Sequence, residues 1–267
     1  AFLGTPNFAV PILKSIQQSN FKISCVFSQP PRKSNRGHKL NKSPIHLLSE
    51  ELGIEIKTPE NIEKEIDYIK SLNLDLAIVV AYGQILSKDI LSLSKNGFIN
   101  IHASLLPKWR GAAPIQRSLI NMDKITGLSI MKINSKLDEG PVCNKYPLDI
   151  LENENAKSLA DRLSNLAAEK ILTNIENILQ QKANFEEQDS SMVTYAKKIQ
   201  KIEGKINWNN GADEILAKIN GLYPQPGAWF SFENDRHKIL RATLSKTTMK
   251  PGEIIDDELT ISCGNKS

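Results

Sequence analysis

Asn100 and His102 are the residues whose types and spacing point most directly at chemistry. They stand two apart at the end of the apolar run Phe98-Ile99-Asn100-Ile101, just before a Pro- and Gly-punctuated segment. On a strand, positions two apart project from one face. That face then carries a carboxamide beside an imidazole, and together they can donate two hydrogen bonds to one developing oxyanion, as acyl transfer requires. The carboxyl end of a strand is also where open α/β sheets bind ligands. The segment that follows, Ser104-Leu105-Leu106-Pro107-Lys108-Trp109-Arg110-Gly111-Ala112-Ala113-Pro114-Ile115-Gln116, is rich in Gly, Pro and Ala and reads as a loop. Its backbone from Ser104 to Pro107 can line a cavity for a ring-shaped ligand. Trp109 and Arg110 are costly choices for a passive connector and mark a functional loop.

Two other groups could join this pair. Asp138 lies in Leu137-Asp138-Glu139-Gly140-Pro141, a turn between two expected strands. Spacing leaves it open between an ordinary turn acid and a carboxylate that orients His102, favours its cationic form and relays a proton. Arg32, Lys33, Arg36, Lys39 and Lys42 fall between Pro30 and Ser43 with no acid among them. Such a run is either a solvated surface or a loop that grips phosphates beside a site. Gly4-Thr5-Pro6-Asn7-Phe8 stands where a dinucleotide-binding domain has its phosphate loop, but it lacks G-x-G-x-x-G, which weakens a nucleotide reading. Cys25, Cys143 and Cys263 have no ligand spacing and read as free thiols. No His/Cys/Asp/Glu cluster has metal spacing, so no metal is expected.

The elements that must position these residues alternate. Strands are expected at 1–3, 23–27, 54–56, 74–80 and 98–101, with helices after Asn7, from Pro44, over 61–71 and over 87–94. Strand–helix alternation predicts a doubly wound, mostly parallel α/β sheet. Strands at 127–133 and 142–150 flank the Asp138 turn, and 155–181 reads as one long amphipathic helix. After it the texture changes. The polar stretch 185–191 looks like a linker. Short apolar runs at 206–208, 228–232, 239–244, 253–255 and 259–262, interrupted by a helix at 212–220, suggest a small OB-like β-barrel. The pattern stops before a closing strand, so an incomplete C-terminus is expected.

The 267 residues carry 40% hydrophobic and 24% charged side chains and a net charge of +4, as an ordinary globular protein does. No apolar run approaches the roughly 20 residues of a membrane span. Asn7 and Pro11 interrupt the first apolar stretch, so no signal peptide is expected, and the start without Met suggests residues ahead of Ala1. A cytoplasmic monomer is the resulting expectation.

Taken together, Gly4-Thr5-Pro6-x-Phe8, Gln29-Pro30 with Arg36-Gly37-x-Lys39-Leu40, Val80-Ala81-Tyr82-Gly83, the run from Asn100 to Gln116, Leu137-Asp138-x-Gly140 and Pro224-x-Pro226-Gly227-Ala228-Trp229 resemble the methionyl-tRNA formyltransferase family over nearly the whole chain. The Asn-x-His and Ser-Leu-Leu-Pro core is shared by the wider formyltransferase superfamily, and the Arg36-Gly37 loop with Arg110 to Gln116 narrows it to the tRNA-directed branch. The resemblance implies a Rossmann-like catalytic domain over 1–184 that binds 10-formyltetrahydrofolate, a linker over 185–195, and an OB-like tRNA-binding domain over 196–267. It implies Asn100, His102 and Asp138 as the catalytic set. Folate would lie against Ser104, Leu105, Leu106 and Pro107, and against Tyr82 and Gly83. Arg32, Lys33, Arg36, Lys39 and Lys42 would hold methionyl initiator tRNA. A sugar-nucleotide N-formyltransferase, a formyltetrahydrofolate hydrolase and a non-catalytic tRNA-binding module are the rival readings.

Overall fold

The computed structural model describes residues 1–34, 39–246 and 249–264. Strands are β1 (Phe2–Gly4), β2 (Val26–Phe27), β3 (Arg32–Ser34), β4 (Lys39–Asn41), β5 (Ile56–Lys57), β6 (Ala77–Val80), β7 (Phe98–His102), β8 (Ile125–Lys132), β9 (Val142–Asp149), β10 (Ala228–Phe232) and β11 (Asp235–Ile239). Helices are α1 (Val10–Gln17), α2 (Pro44–Glu51), α3 (Ile66–Ser71), α4 (Lys88–Leu91), α5 (Pro114–Ile120), α6 (Ala156–Leu179) and α7 (Ala212–Leu222).

Seven strands form one sheet in the order β5-β2-β1-β6-β7-β8-β9. The pairs β5/β2, β2/β1, β1/β6 and β6/β7 are parallel, and β8 joins β7 antiparallel. The expected mostly parallel α/β sheet is therefore present. The strand order reverses beside β1, so the loops after β1, β2, β6 and β7 leave from one sheet edge, the usual ligand edge of such sheets. The central strands are apolar on both faces: Phe2 and Leu3 are 1% exposed, and all of β6 is buried, as parallel strands require. Local signals set the helix starts. Ser43 accepts from His46 N at 3.0 Å and Pro44 opens α2; Ser87 accepts from Ile90 N at 3.3 Å at the start of α4. The long α6 buries Leu159, Leu163, Ile171, Ile175 and Ile178. It is tied to the first helical segment by Ser15 Oγ donating to Ala168 O (2.8 Å) and Ser164 Oγ donating to Phe8 O (2.6 Å).

Contacts divide the chain into two compact units, one comprising 1–110, 127–146 and 161–193, the other 111–126, 147–160 and 194–267. The second unit contains the chief departures from expectation. Residues 114–120 form α5, where the Gly- and Ala-rich run reads as loop. The close approach of α7 stabilises it: a Cβ at Gly221 would stand 2.7 Å from Ile120 Cγ1 and 3.1 Å from Gln116 O. The strand after β10 is 235–239 rather than 239–244. Phe232 pairs with Asp235, and Glu233 and Asn234 have φ of 48° and 69°, the left-handed pair of a two-residue hairpin turn. Asp235, Arg236, His237 and Lys238 are exposed, so no apolar pattern marked this strand. Beyond β10–β11, strand pairing among the described residues from 194 onward consists of the bridges Lys205↔Trp229 and Ile254↔Ile261. A further departure lies in the first unit, where the basic segment is a β3–β4 hairpin stem, with Lys33 opposite Leu40, rather than an open loop.

Candidate active site

β7 carries Asn100 and His102 to the sheet edge. Asn100 is half-buried and His102 is 6% exposed. Ser129 of β8 stands opposite His102, and Met131 opposite Asn100. Ser129 Oγ donates to Ser104 O (2.7 Å) and accepts from Leu106 N (2.9 Å), so one hydroxyl pins the segment after β7 from both sides. Ser104 Oγ in turn donates to Lys108 O at 2.5 Å. Ser104 and Leu106 are buried, Leu106 against Met131 and Val142, while Leu105 and Pro107 remain partly exposed. The Leu106–Pro107 peptide is cis.

The turn between β8 and β9 returns Asp138 to the imidazole. His102 Nδ1 lies 3.7 Å from Asp138 Oδ2, an ion-pair separation longer than a direct hydrogen bond. The other ring nitrogen, Nε2, is 2.9 Å from Trp109 O. The ring thus sits between two acceptors and can present an N–H to both only as an imidazolium. Nε2 is committed to the backbone, so Nδ1 is the position open to a reacting oxygen beside the carboxylate. Asn100 makes no side-chain hydrogen bond among the described residues, which leaves its carboxamide for a ligand.

The turn is anchored in ways that residue spacing does not reveal. Asp138 has φ of 47°, in the left-handed region. Gly140 is compelled by packing, because a Cβ there would stand 1.8 Å from Lys132 O. Gln188 Nε2 donates to both Asp138 O (2.9 Å) and Gly140 O (2.8 Å). Gln188 Oε1 accepts from Nε of Arg110, which is 4% exposed. Glu139, between the two carbonyls, lies 2.7 Å from Lys136 Nζ and 3.6 Å from Arg110 Nη1. Its carboxyl is held below the usual range, chiefly by the Lys136 hydrogen bond and then by the charges of Lys136 and Arg110. The stretch 185–191, which reads as a linker, is therefore an organised part of this unit: Glu186 pairs with Val142 and Gln188 reaches the Asp138 turn.

The remaining candidates fall in several places. Tyr82 is 2% exposed within the core, its backbone carbonyl accepting from Thr5 Oγ1 at 2.8 Å, and Gly83 beside it is exposed. Burial pushes the Tyr82 phenol well above its usual range. Arg32 donates to Gln29 Oε1 (2.8 Å), and Lys42 Nζ lies 2.6 and 2.8 Å from the Glu50 carboxylate. Lys33 and Lys39 have their backbones in the hairpin, with their side chains outside the described set, and Arg36 lies outside the described residues. Cys25, Cys143 and Cys263 are free, and burial pushes the Cys143 thiol up to about 11. Among the described residues no group of three or more His, Cys, Asp or Glu could hold a metal ion, and no helix is long and apolar enough to cross a membrane.

Residues 1–175 match the formyl transferase family, and residues 198–267 match the formyl transferase C-terminal domain. The chain belongs to the formyl transferase family. Two curated members extend the match over almost the whole chain. The methionyl-tRNA formyltransferase of Pelagibacter ubique is 55% identical over 268 aligned positions, covering 99% of this chain and 86% of that protein. The methionyl-tRNA formyltransferase of Caulobacter vibrioides is 42% identical, covering 100% and 89%. Among solved structures, an N-formyltransferase from Helicobacter canadensis in complex with folinic acid and dTDP-3-aminofucose superposes with a TM-score of 0.75 at 20% identity, covering 98% of this chain and 94% of that one. A sugar N-formyltransferase from a Shewanella species superposes at 0.69 with 19% identity. The two structural likenesses establish that this member of the family shares their fold.

Proposed function

We propose that this formyl transferase moves the formyl group of 10-formyltetrahydrofolate to the α-amine of methionyl initiator tRNA, the step that prepares that tRNA for translation initiation. The observation that carries the reading is the Asn100–His102 pair with Asp138 at 3.7 Å, in a chain whose 55% identical relative is a methionyl-tRNA formyltransferase. The site's own chemistry fits the donor. The Asn100 carboxamide is unengaged among the described residues, and the pinned Ser104–Pro107 segment offers Leu105 and Pro107 as a partly exposed wall. Gly83, exposed on the neighbouring loop, and the backbone beside Tyr82 would flank the same ligand.

When bound, 10-formyltetrahydrofolate supplies the formyl carbon that the neutral amine attacks. Asn100 and the His102 Nδ1–H donate to the formyl oxygen as negative charge gathers on it. Trp109 O holds the ring in place, and the Asp138 carboxylate compensates the imidazolium charge. The proton lost by the attacking nitrogen leaves by way of water near Asp138, and the departing folate nitrogen is protonated in turn. Residues 1–184 would carry this chemistry, and 185–195, whose first part supplies Gln188 to the Asp138 turn, would lead on to the tRNA-binding part. The β10–β11 hairpin, the two bridges and the family match over 198–267 support reading 196–267 as an OB-like barrel that helps hold tRNA. Arg32, Lys33, Arg36, Lys39 and Lys42 would contact its phosphates. The protein would work as a monomer in the cytoplasm.

The test offers the protein labelled 10-formyltetrahydrofolate with either methionyl initiator tRNA or an aminosugar nucleotide. Label on the tRNA is expected. Label on the sugar alone, or released as formate without any amine, would overturn the assignment.

A further inference from the structure

Arg110 is a buried cation with an unusual duty. Its side chain is 5% exposed, and its charge partner, Glu139, stands 3.6 Å away, is 38% exposed and is shared with Lys136. Burying a guanidinium against so loose a partner adds little stability, so its geometry is the more informative property. Arg110 Nε–H donates to Gln188 Oε1 at 3.0 Å. That contact fixes which way round the Gln188 amide lies. With the oxygen engaged, the NH2 group faces the Asp138 turn and gives one hydrogen to Asp138 O and one to Gly140 O, at 2.9 and 2.8 Å. Both amide hydrogens and the amide oxygen are used, and the two carbonyls they bind bracket the residue after Asp138. Asp138 itself is in a left-handed conformation that a non-glycine residue adopts at a cost, so the turn needs such a restraint. The neighbour of Arg110, Trp109, meanwhile fixes the opposite nitrogen of His102 through its carbonyl at 2.9 Å. One dipeptide therefore governs both halves of the pair: Trp109 sets the ring, and Arg110, through Gln188, sets the carboxylate.

We propose that Gln188, oriented by Arg110, is a positioning residue for formyl transfer that fixes the Asp138 carboxylate relative to His102. Neither side chain touches the reacting atoms, so the effect falls on turnover and not on substrate binding. The inference rests on the reading of Asp138 as the partner of His102, and a double-mutant cycle separates the two claims.

Gln188→Ala should lower kcat roughly ten- to hundredfold, the scale of a misplaced catalytic group, with KM for both substrates within about twofold of the parent. In an Asp138→Ala background the same change should cost less than about twofold, because no carboxylate remains to be positioned. Gln188→Glu has the same shape but no hydrogens to give the two carbonyls. It serves in the same cycle should the alanine variant fold poorly, and it should lose activity at least as far. Equal losses from either Gln188 variant with and without Asp138, unchanged kcat, or a loss confined to KM would overturn the role of Gln188. If Asp138→Ala alone keeps the parental kcat, the catalytic reading of Asp138 fails and the positioning role falls with it.

Discussion

The turn that holds Asp138 and the hairpin that holds Arg32 and Lys42 are both polar excursions from one sheet, yet they are built in opposite ways. The turn is cross-linked from several directions: Gln188 bonds two of its carbonyls, Gly140 lies against Lys132, and Glu139 meets Lys136 and Arg110. In the hairpin region Arg32 is exposed, and Lys42 meets Glu50 with both side chains more than two-fifths exposed. Positioning a carboxylate beside an imidazole demands fixed geometry, whereas attraction to a polyanion works through charge at a distance and tolerates motion. Substitutions in the two regions should therefore fail differently, one in rate and the other in salt dependence.

Asn100→Ala or His102→Ala should lower single-turnover formyl transfer by about 10²–10³, the usual cost of one oxyanion donor. Rapid-quench transfer at near-parental rate would remove both from the mechanism. Ser129→Ala strips a buried partner from Leu106 N and Ser104 O and should cost about 1–3 kcal/mol in urea unfolding. It should also raise KM for the folate, because the segment it pins is the proposed wall of that site.

The Arg117–Glu203 pair in the second unit is intermediate, with side chains 19% and 35% exposed and 2.7 Å between Nη1 and Oε2. The Arg117 hydrogen bond holds the Glu203 carboxyl below its usual range. A lowered folded-state value means that the gain is complete above the ordinary carboxyl value of about 4.3 and is lost as pH falls through the lowered one. Solvent screens the pair, so Arg117→Ala should cost less than about 1 kcal/mol at neutral pH. Denaturation midpoints at about pH 7 and pH 3 should show that difference shrinking in acid; a constant difference would assign the effect to packing.

Lys42→Ala should change least. The denaturation midpoint and kcat should stay at parental values, with a small rise in KM for tRNA and a shallower salt dependence. A large loss of kcat would show that the hairpin belongs with the rigid region after all.

Much of the site was legible because its signals are local. Asn100 and His102 carry their geometry in a spacing of two, and the continuous apolar runs through β6 and β7 announce buried parallel strands. Asp138 needed more than spacing, since the backbone must double back before it reaches His102. Gln188 was hidden for a related reason: it lies in a polar stretch with no periodicity, and two of its three partners are backbone carbonyls, which leave no trace in residue types. Arg110 gave a partial signal as a costly residue in a loop, without showing that it would be buried. α5 could have been read from Pro114, which suits a first helical turn, but three small residues before it suggested a loop. In β11 the exposed Asp, Arg, His and Lys erased the alternation that marks a half-buried strand, and only the two-residue turn before it carried the information.

The antiparallel seat of β8 on β7 has one more consequence. Ser129 faces His102 across that pairing, and the Asp138 turn grows from the end of the same strand. A slip of one residue would bring Leu128 or Ile130 opposite His102 and turn the Ser129 hydroxyl to the other face. The secondary structure content would hardly change, but the segment 104–107 would lose its pin and the carboxylate would miss the ring. On the roles proposed for these residues, catalytic competence is a readout of strand alignment, and a molecule mispaired at this single seam would be compact, well ordered and inert.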